Sequence, residues 1–272
     1  MRVPVAGRRF YLRASLLSEL AVILATYNEA ENLTQLVEAL EDLREDLHLV
    51  VVDDASPDGT GLIAQQLSSR FGNIAIVNRP AKLGLGSALQ CGLAAALNAG
   101  AHYVLTMDAD FSHDPADVPR MIEAIKTGRA DMVQGSRYAQ GGCVQGWNGK
   151  RRLLSRAANL VYQWGAGTPH ECTTNFRAYS RRAALAVLSR AKGNGYEFMP
   201  ESTLLVLASG LNIQEIPITF TNRRFGMSKL DKRQVIKGMI FCVSSIFRYR
   251  LRLGRFSRPH VMNTMDDPNS PM

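Results

Sequence analysis

His102-Tyr103-Val104-Leu105-Thr106-Met107-Asp108-Ala109-Asp110 is an apolar run that ends in two carboxylates one residue apart. A short apolar run bounded by turn-forming residues reads as a buried strand, and ligands in open α/β sheets bind beyond the strands' carboxyl ends. Successive strand side chains point to opposite faces, so Asp108 and Asp110 share a face and can hold one divalent cation between them. Oxygen-only donors favour Mg or Mn over Zn. An isolated acid pair in this position also serves as a turn or a helix cap, so the surroundings decide.

Working outward from this run, short apolar stretches alternate with helical spacing. Ala21–Ala25 precedes a helix from Glu29 to Leu40; Leu49–Val52 leads into Asp53-Asp54 and a helix from Thr60 to Phe71; Ile74–Val77 precedes a helix from Gly86 to Ala99. A helix over Val118–Lys126 and a strand at Met132-Val133 continue the pattern. Such alternation predicts an α/β fold, a parallel sheet with helices on both faces. Thr26–Glu29, Asp53–Thr60, Lys82–Gly86 and Asp108–Asp110 each follow a strand, so all four are expected along one edge. No GxGxxG follows the first strand and no GxxxxGK[ST] occurs, which excludes a dinucleotide fingerprint and a P-loop. The glycines of Lys82-Leu83-Gly84-Leu85-Gly86 admit close backbone approach to phosphate or sugar, or form a tight turn before the helix.

The second half carries a glycine-rich stretch at Gly141–Gly149, a basic helix over Lys150–Trp164 and a strand-like Phe176–Tyr179. There are no repeats and no low-complexity linker, so one main domain is expected over 20–231. It follows a basic extension, 1–19, and precedes an amphipathic helix, 232–254, and a flexible tail, 255–272. Hydrophobic content of 46% and charged content of 21% are those of a globular protein. Four scattered cysteines with no CxxC give neither a zinc site nor a disulfide framework and fit a reduced, cytoplasmic setting. No signal peptide is visible near the N-terminus.

The net charge of +8 is uneven, because residues 221–260 hold eleven Lys and Arg against the single acid Asp231. Within this block the spacing of Val235–Phe247 predicts an amphipathic helix. The run is too short to span a bilayer, which takes roughly 20 apolar residues. An apolar stripe beside Arg248, Arg250, Arg252 and Arg255 suits a helix on an anionic membrane face, a helix docked on a membrane-anchoring subunit, or one packed on the core. Nucleic acid fits poorly, since no base-stacking motif interleaves the charges.

Together, Ala25-Thr26-Tyr27-Asn28-Glu29, Asp53-Asp54-Ala55-Ser56-Pro57-Asp58-Gly59-Thr60, Lys82–Ala88 and Asp108–Pro115 resemble family 2 glycosyltransferases of the GT-A fold. Gly135-Ser136-Arg137-Tyr138, Gly146–Arg151, Ser155–Asn159, Phe176-Arg177 and Arg223–Lys229 resemble, more narrowly, the polyprenyl-phosphate (dolichyl-phosphate) mannosyltransferases. The resemblance implies inverting transfer of mannose from GDP-mannose to a polyprenyl phosphate at the cytoplasmic membrane face. It implies that Ala25, Tyr27, Glu29, Asp53, Lys82, Gly84, Asp108, Ala109 and Asp110 line the donor, and that Asp108, Asp110 and Ser112 hold Mg or Mn. Arg137, Asn175, Arg223 and Lys229 would bind the acceptor phosphate, with Asp110, Arg137 and Arg223 catalytic. Arg151 and Arg177 are further candidates for the basic funnel, and His113 for contact with phosphate or a turn.

Two departures stand out. Relatives carry Asp-x-Thr-Gly-Ser-Phe-Arg where this chain has Glu171-Cys172-Thr173-Thr174-Asn175-Phe176-Arg177, and Ser112 replaces a longer metal contact. They leave open a UDP-glucose or UDP-N-acetylglucosamine donor, a soluble acceptor, or a non-catalytic nucleotide-sugar-binding protein. Glu201, in Phe198-Met199-Pro200-Glu201, matches an acidic family position without an assigned role.

Overall fold

The computed structural model describes residues 19–43, 45–222 and 232–257, except the side chains of 232–237. The chain runs β1 (Leu20–Thr26), α1 (Ala30–Glu41), β2 (Leu47–Asp53), α2 (Thr60–Phe71), β3 (Ile74–Asn78), α3 (Leu85–Asn98), β4 (Tyr103–Asp108) and α4 (Val118–Lys126). It continues through β5 (Met132–Ser136), β6 (Cys143–Val144), α5 (Gly149–Ala166), β7 (Arg177–Ser180) and α6 (Arg181–Leu188). Last come α7 (Phe198–Ala208), β8 (Ile213–Pro217), β9 (Thr219–Phe220), α8 (Lys232–Arg250) and a 3-10 turn at Gly254–Phe256. The basic extension expected over 1–19, except Glu19, and most of the tail expected over 255–272 lie outside the described residues; Phe256, at the start of that tail, is fully buried.

The main sheet has the order β3-β2-β1-β4-β7-β5-β8, and β6 pairs with β9 beside it. Its strands alternate between two cores. In β1, Ala21 and Ile23 face the core that holds α3, α6 and α7, whereas Leu20, Val22 and Leu24 face the one that holds α1, α2 and α4. This period of two explains why β1, β2 and β4 are apolar throughout: both faces are covered.

The parallel arrangement holds with one exception. β7 runs antiparallel to both β4 and β5, with Thr106 opposite Arg177 and Tyr103 opposite Ser180. Its first residue therefore lies at the carboxyl edge of the parallel strands, and the segment that precedes it, Glu171–Phe176, is delivered to that edge. α5 and α8 pack against each other outside the second half of the sheet. A side chain at Gly165 would meet Ile246 at 2.9 Å, so a glycine lets the two helices approach closely.

Candidate active site

Register fixes the edge. Thr26 lies opposite Asp53, Ala25 opposite Asp108, and Asp53 opposite Asn78, so the expected residues end neighbouring strands. Each of the three strands β1, β2 and β4 exits through a non-glycine residue with positive φ: Asn28 at 56°, Ala55 at 55° and Phe111 at 59°. Such residues cost roughly 1–2 kcal/mol each and cluster at functional sites. The first two turns are bolted together. The N–H groups of Asn28, Glu29 and Ala30 donate to Ser56 Oγ at 2.9 Å, Thr60 Oγ1 at 2.9 Å and Asp58 Oδ2 at 3.0 Å.

Asp53 is buried and accepts from Thr26 Oγ1 and the Ser56 N–H, both at 3.0 Å. Glu29 accepts from Asn32 Nδ2 at 2.9 Å. Lys82 Nζ lies 4.2 Å from the centre of the Tyr27 ring, a cation–π contact that joins the first and third strand-end loops. The loop at Lys82–Gly84 hangs on Asp54, whose Oδ2 accepts the N–H groups of Leu83 at 3.0 Å and Gly84 at 3.2 Å. Oδ1 of the same residue pairs with Arg79 at 2.7 Å. Burial raises the Asp54 carboxyl above its usual range, against the pull of Arg79 and the two amides.

Strand alternation, expected to put Asp108 and Asp110 on one face, does not extend to the second acid. β4 stops at Asp108, and the chain turns through Phe111. Asp110 is set by its own turn, Oδ1 accepting the Ser112 N–H at 3.0 Å, because a short acidic side chain folds back on the backbone two residues on. Asp108 Oδ1 accepts from Asn175 Nδ2 at 2.9 Å. Ala109 and Ser112 are buried beside the pair. His113 is 1% exposed and stacked on Phe176, with ring centroids 5.1 Å apart. Its Nδ1 accepts the Asp108 N–H at 3.1 Å, and burial holds its pKa down at about 3, so the imidazole is neutral and serves the turn.

A divalent cation fits this donor set. Among the described residues no three His, Cys, Asp or Glu gather to hold a metal. Asp108 and Asp110 are oxygen donors of the kind Mg or Mn takes, with the remaining positions left to a diphosphate and water.

On the other side, Arg137 is buried against the departing segment. Its Nε donates to Glu171 Oε1 at 2.7 Å, its backbone N–H to Glu171 Oε2 at 2.7 Å, and Nη2 to Glu171 and, at 2.6 Å, to Thr173 Oγ1. Trp147 and Phe220 pack around the guanidinium at 5.3 and 5.2 Å. The Glu that replaces a shorter acid is thus the counter-ion of Arg137. Asn175, expected on acceptor phosphate, donates from its side-chain amide to Asp108 in this structure.

Arg177 is a correction. It was expected in the basic funnel but is 1% exposed, donating to the carbonyls of Met199 at 2.6 Å and Cys172 at 3.1 Å and to Ser202 Oγ. A residue opening an inner strand points into the core, whatever its charge. Arg151 stays at the surface over Trp147, 4.1 Å from the ring centre. Arg223 and Lys229 lie outside the described residues. The chain sets off toward them from the acid loop itself, where Thr221 donates from its N–H to Ser112 O and from Oγ1 to Phe111 O, both at 3.1 Å.

The glycosyl transferase family 2 model matches residues 21–188, the whole strand-end edge included. The chain belongs to glycosyl transferase family 2. It is 36% identical over 237 residues to polyprenol monophosphomannose synthase of Mycolicibacterium smegmatis, covering 86% of this chain and 89% of that protein. It is 37% identical over 211 residues to undecaprenyl-phosphate mannosyltransferase of Micrococcus luteus, covering 77% and 86%. Glucosyl-3-phosphoglycerate synthase from Mycobacterium tuberculosis, solved with Mn2+, UDP and glucosyl-3-phosphoglycerate, superposes with a TM-score of 0.61 at 21% identity, covering 85% and 82%. The fold is that of GT-A glycosyltransferases, and this family 2 glycosyltransferase is an enzyme by membership.

Two features of the glycosyltransferase escaped sequence reasoning. Asp54 holds the Lys82–Gly84 loop from the next strand end; an acid adjacent to Asp53, followed by a loop of free amides, was the signal available. The other is an apolar face. α5, expected as a basic helix, exposes Leu153, Leu154, Leu160, Val161 and Trp164, the last at 85%, next to Met239, Ile240, Val243 and Phe247 on α8. Arginines between the apolar positions hid the stripe.

Proposed function

We propose that this enzyme transfers mannose from GDP-mannose to a polyprenyl phosphate, with inversion, at the cytoplasmic face of a membrane. The observation that carries the reading is the strand-end assembly of Asp108, Asp110, Tyr27 and Lys82, in a chain 36% identical over most of its length to a polyprenol monophosphomannose synthase. Tyr27, Asp53 and the Lys82–Gly84 loop receive the nucleoside side, and Asp108 and Asp110 hold Mg or Mn. When bound, the cation offsets charge that grows on the departing diphosphate.

The acceptor is a phosphate monoester, ionised at neutral pH, so its oxygen attacks the anomeric carbon without a general base. The bond from that carbon to the GDP oxygen breaks, and a single displacement inverts the configuration. His113, neutral and spent on Asp108, fits a site that needs no proton transfer. Arg137, with Arg223 and Lys229, receives the acceptor phosphate, guanidinium forks matching its oxygens. Glu171 tempers Arg137 until phosphate competes for it.

The apolar face of α5 and α8 takes the bilayer surface or a membrane-anchoring subunit. It is rimmed by exposed Arg152, Arg156, Arg248 and Arg252, the arrangement of helices lying in an anionic interface. No helix among the described residues is long and apolar enough to cross a membrane.

The test presents the enzyme and Mg with polyprenyl phosphate in anionic vesicles and labelled GDP-mannose, UDP-glucose or UDP-N-acetylglucosamine. Label should enter the organic phase from GDP-mannose, and the protein should float with the vesicles; Trp164→Ser with Phe247→Ser should sediment. Transfer from a UDP sugar alone, or from none, would overturn the assignment.

A further inference from the structure

Away from the strand-end edge, one buried acid has no place in the chemistry just described. Glu201, on α7, is 0% exposed. Its Oε2 accepts the N–H groups of Lys192 at 2.9 Å and Gly193 at 2.6 Å, and its Oε1 pairs with Arg255 Nε at 2.8 Å. Burial pushes its carboxyl above the usual range, against the two amides and Arg255. A carboxylate taken out of water in this way is costly unless what it organises repays the desolvation.

What it organises is the loop Lys192–Gly195, and that loop is the floor of Lys82–Gly86. Asn194 O accepts the Ser87 N–H at 3.1 Å, and Gly193 O accepts from Gln90 Nε2 at 2.9 Å. Gly84 sits at φ +102°, and a side chain on it would collide with the Asn194 carbonyl; one on Gly86 would meet Gly193 O at 2.6 Å and Gly195 O at 2.7 Å. The two loops therefore stack backbone on backbone, which explains both glycines in physical terms. Asp54 grips the same loop from the opposite side.

Arg255 links this arrangement to the C-terminal helix. Its Nη2 donates to the buried Ser245 Oγ of α8 at 3.0 Å, and its guanidinium lies 4.9 Å from the Phe241 ring and 5.1 Å from Phe256. The path from α8 through Arg255, Glu201 and Gly193–Gly195 to Gly84 is continuous in contacts of known length.

We infer that Glu201 is a positioning residue for the Lys82–Gly86 loop, held to its task by Arg255 in the 3-10 turn that follows the C-terminal helix. The consequence for donor binding rests on the reading that this loop lines the nucleotide pocket. The loop's geometry itself does not.

Two measurements on the full chain separate these. In nucleotide-free protein, Arg255→Ala should speed amide exchange at Leu83, Gly84 and Ser87 roughly tenfold, with the Val50–Val52 amides unchanged. With substrates, Arg255→Ala should raise the KM for GDP-mannose about tenfold at near-constant kcat, the mark of lost uniform binding. Arg255→Lys, which keeps the charge, should restore most of both. Unchanged exchange over 83–87, or faster exchange throughout the sheet, would overturn the proposal, as would a fall in kcat at constant KM. Faster exchange confined to the loop, in a protein that binds no nucleotide, would uphold the positioning role and sink the donor reading instead.

Discussion

In the half of the sheet built from β3, β2, β1 and β4, three acids take an N–H from their own loop, while Asp54 and Asp108 reach to Leu83 and Asn175. Asp53 takes the Ser56 N–H, Asp58 that of Thr60, and Asp110 that of Ser112. In the half built from β7, β5 and β8, buried charges find partners far along the chain: Arg137 with Glu171, Arg177 with Met199 and Ser202, Glu201 with Arg255. The first half spends its acids on shaping a rim open to ligand. The second spends its ions on fastening segments that no helix or strand ladder would otherwise fix.

This contrast makes separable claims. Asp110→Asn should cost the most, roughly 10³-fold in kcat/KM, or about 4 kcal/mol of transition-state stabilisation, with the urea midpoint almost unmoved. Full transfer activity in this variant and in chelator would remove the metal from the rim. Arg177→Met should do the reverse. It strips donors from Met199 O, Cys172 O and Ser202 Oγ, about 1 kcal/mol each, so unfolding free energy should drop by about 3 kcal/mol while nucleotide affinity in the folded fraction holds. A neutral or stabilising outcome would show that the buried cation is dispensable to the second half.

His113 sits at the seam, bonded to Asp108 and stacked on Phe176. Its folded pKa, about 3, lies below the unfolded value, so its contribution is fully present above about pH 6.5 and drains as pH falls toward the folded value. In metal-free protein the slope it adds should approach 1.4 kcal/mol per pH unit between those limits, and His113→Gln should lose that part. Parallel stability curves for the two proteins would mean that the imidazole takes up its proton in the folded chain as readily as in the unfolded one.

The same contrast explains what could be read in advance. α2 and α4 begin and end where the spacing predicts, and β1 to β4 match within two residues, because each is a period-two or period-3.6 pattern closed by turn chemistry within the pattern itself. α7 went unread. It is buried nearly all round from Phe198 to Ala208, so it has no polar face to mark a helical period. β8, with Gln214, Glu215 and Pro217, looks like a loop, and its strand character comes only from pairing with β5. Among site residues, those locked by near neighbours were legible as a group. Glu171 could be seen as a departure from the family, but its hold on Arg137 depends on β7 running backwards. Arg223 and Lys229, expected on the acceptor phosphate, lie outside the described residues.

The turns at Asn28, Ala55 and Phe111 share a hand that L-amino acids resist. Their mirror images would adopt it willingly. Ala55 is exposed, so a D-alanine built in there by chemical ligation would meet solvent rather than neighbours and would favour the folded backbone angle over the alternatives open to an unfolded chain. The rim of this enzyme is thus a place where chirality, with no side chain gained or lost, becomes an engineering variable.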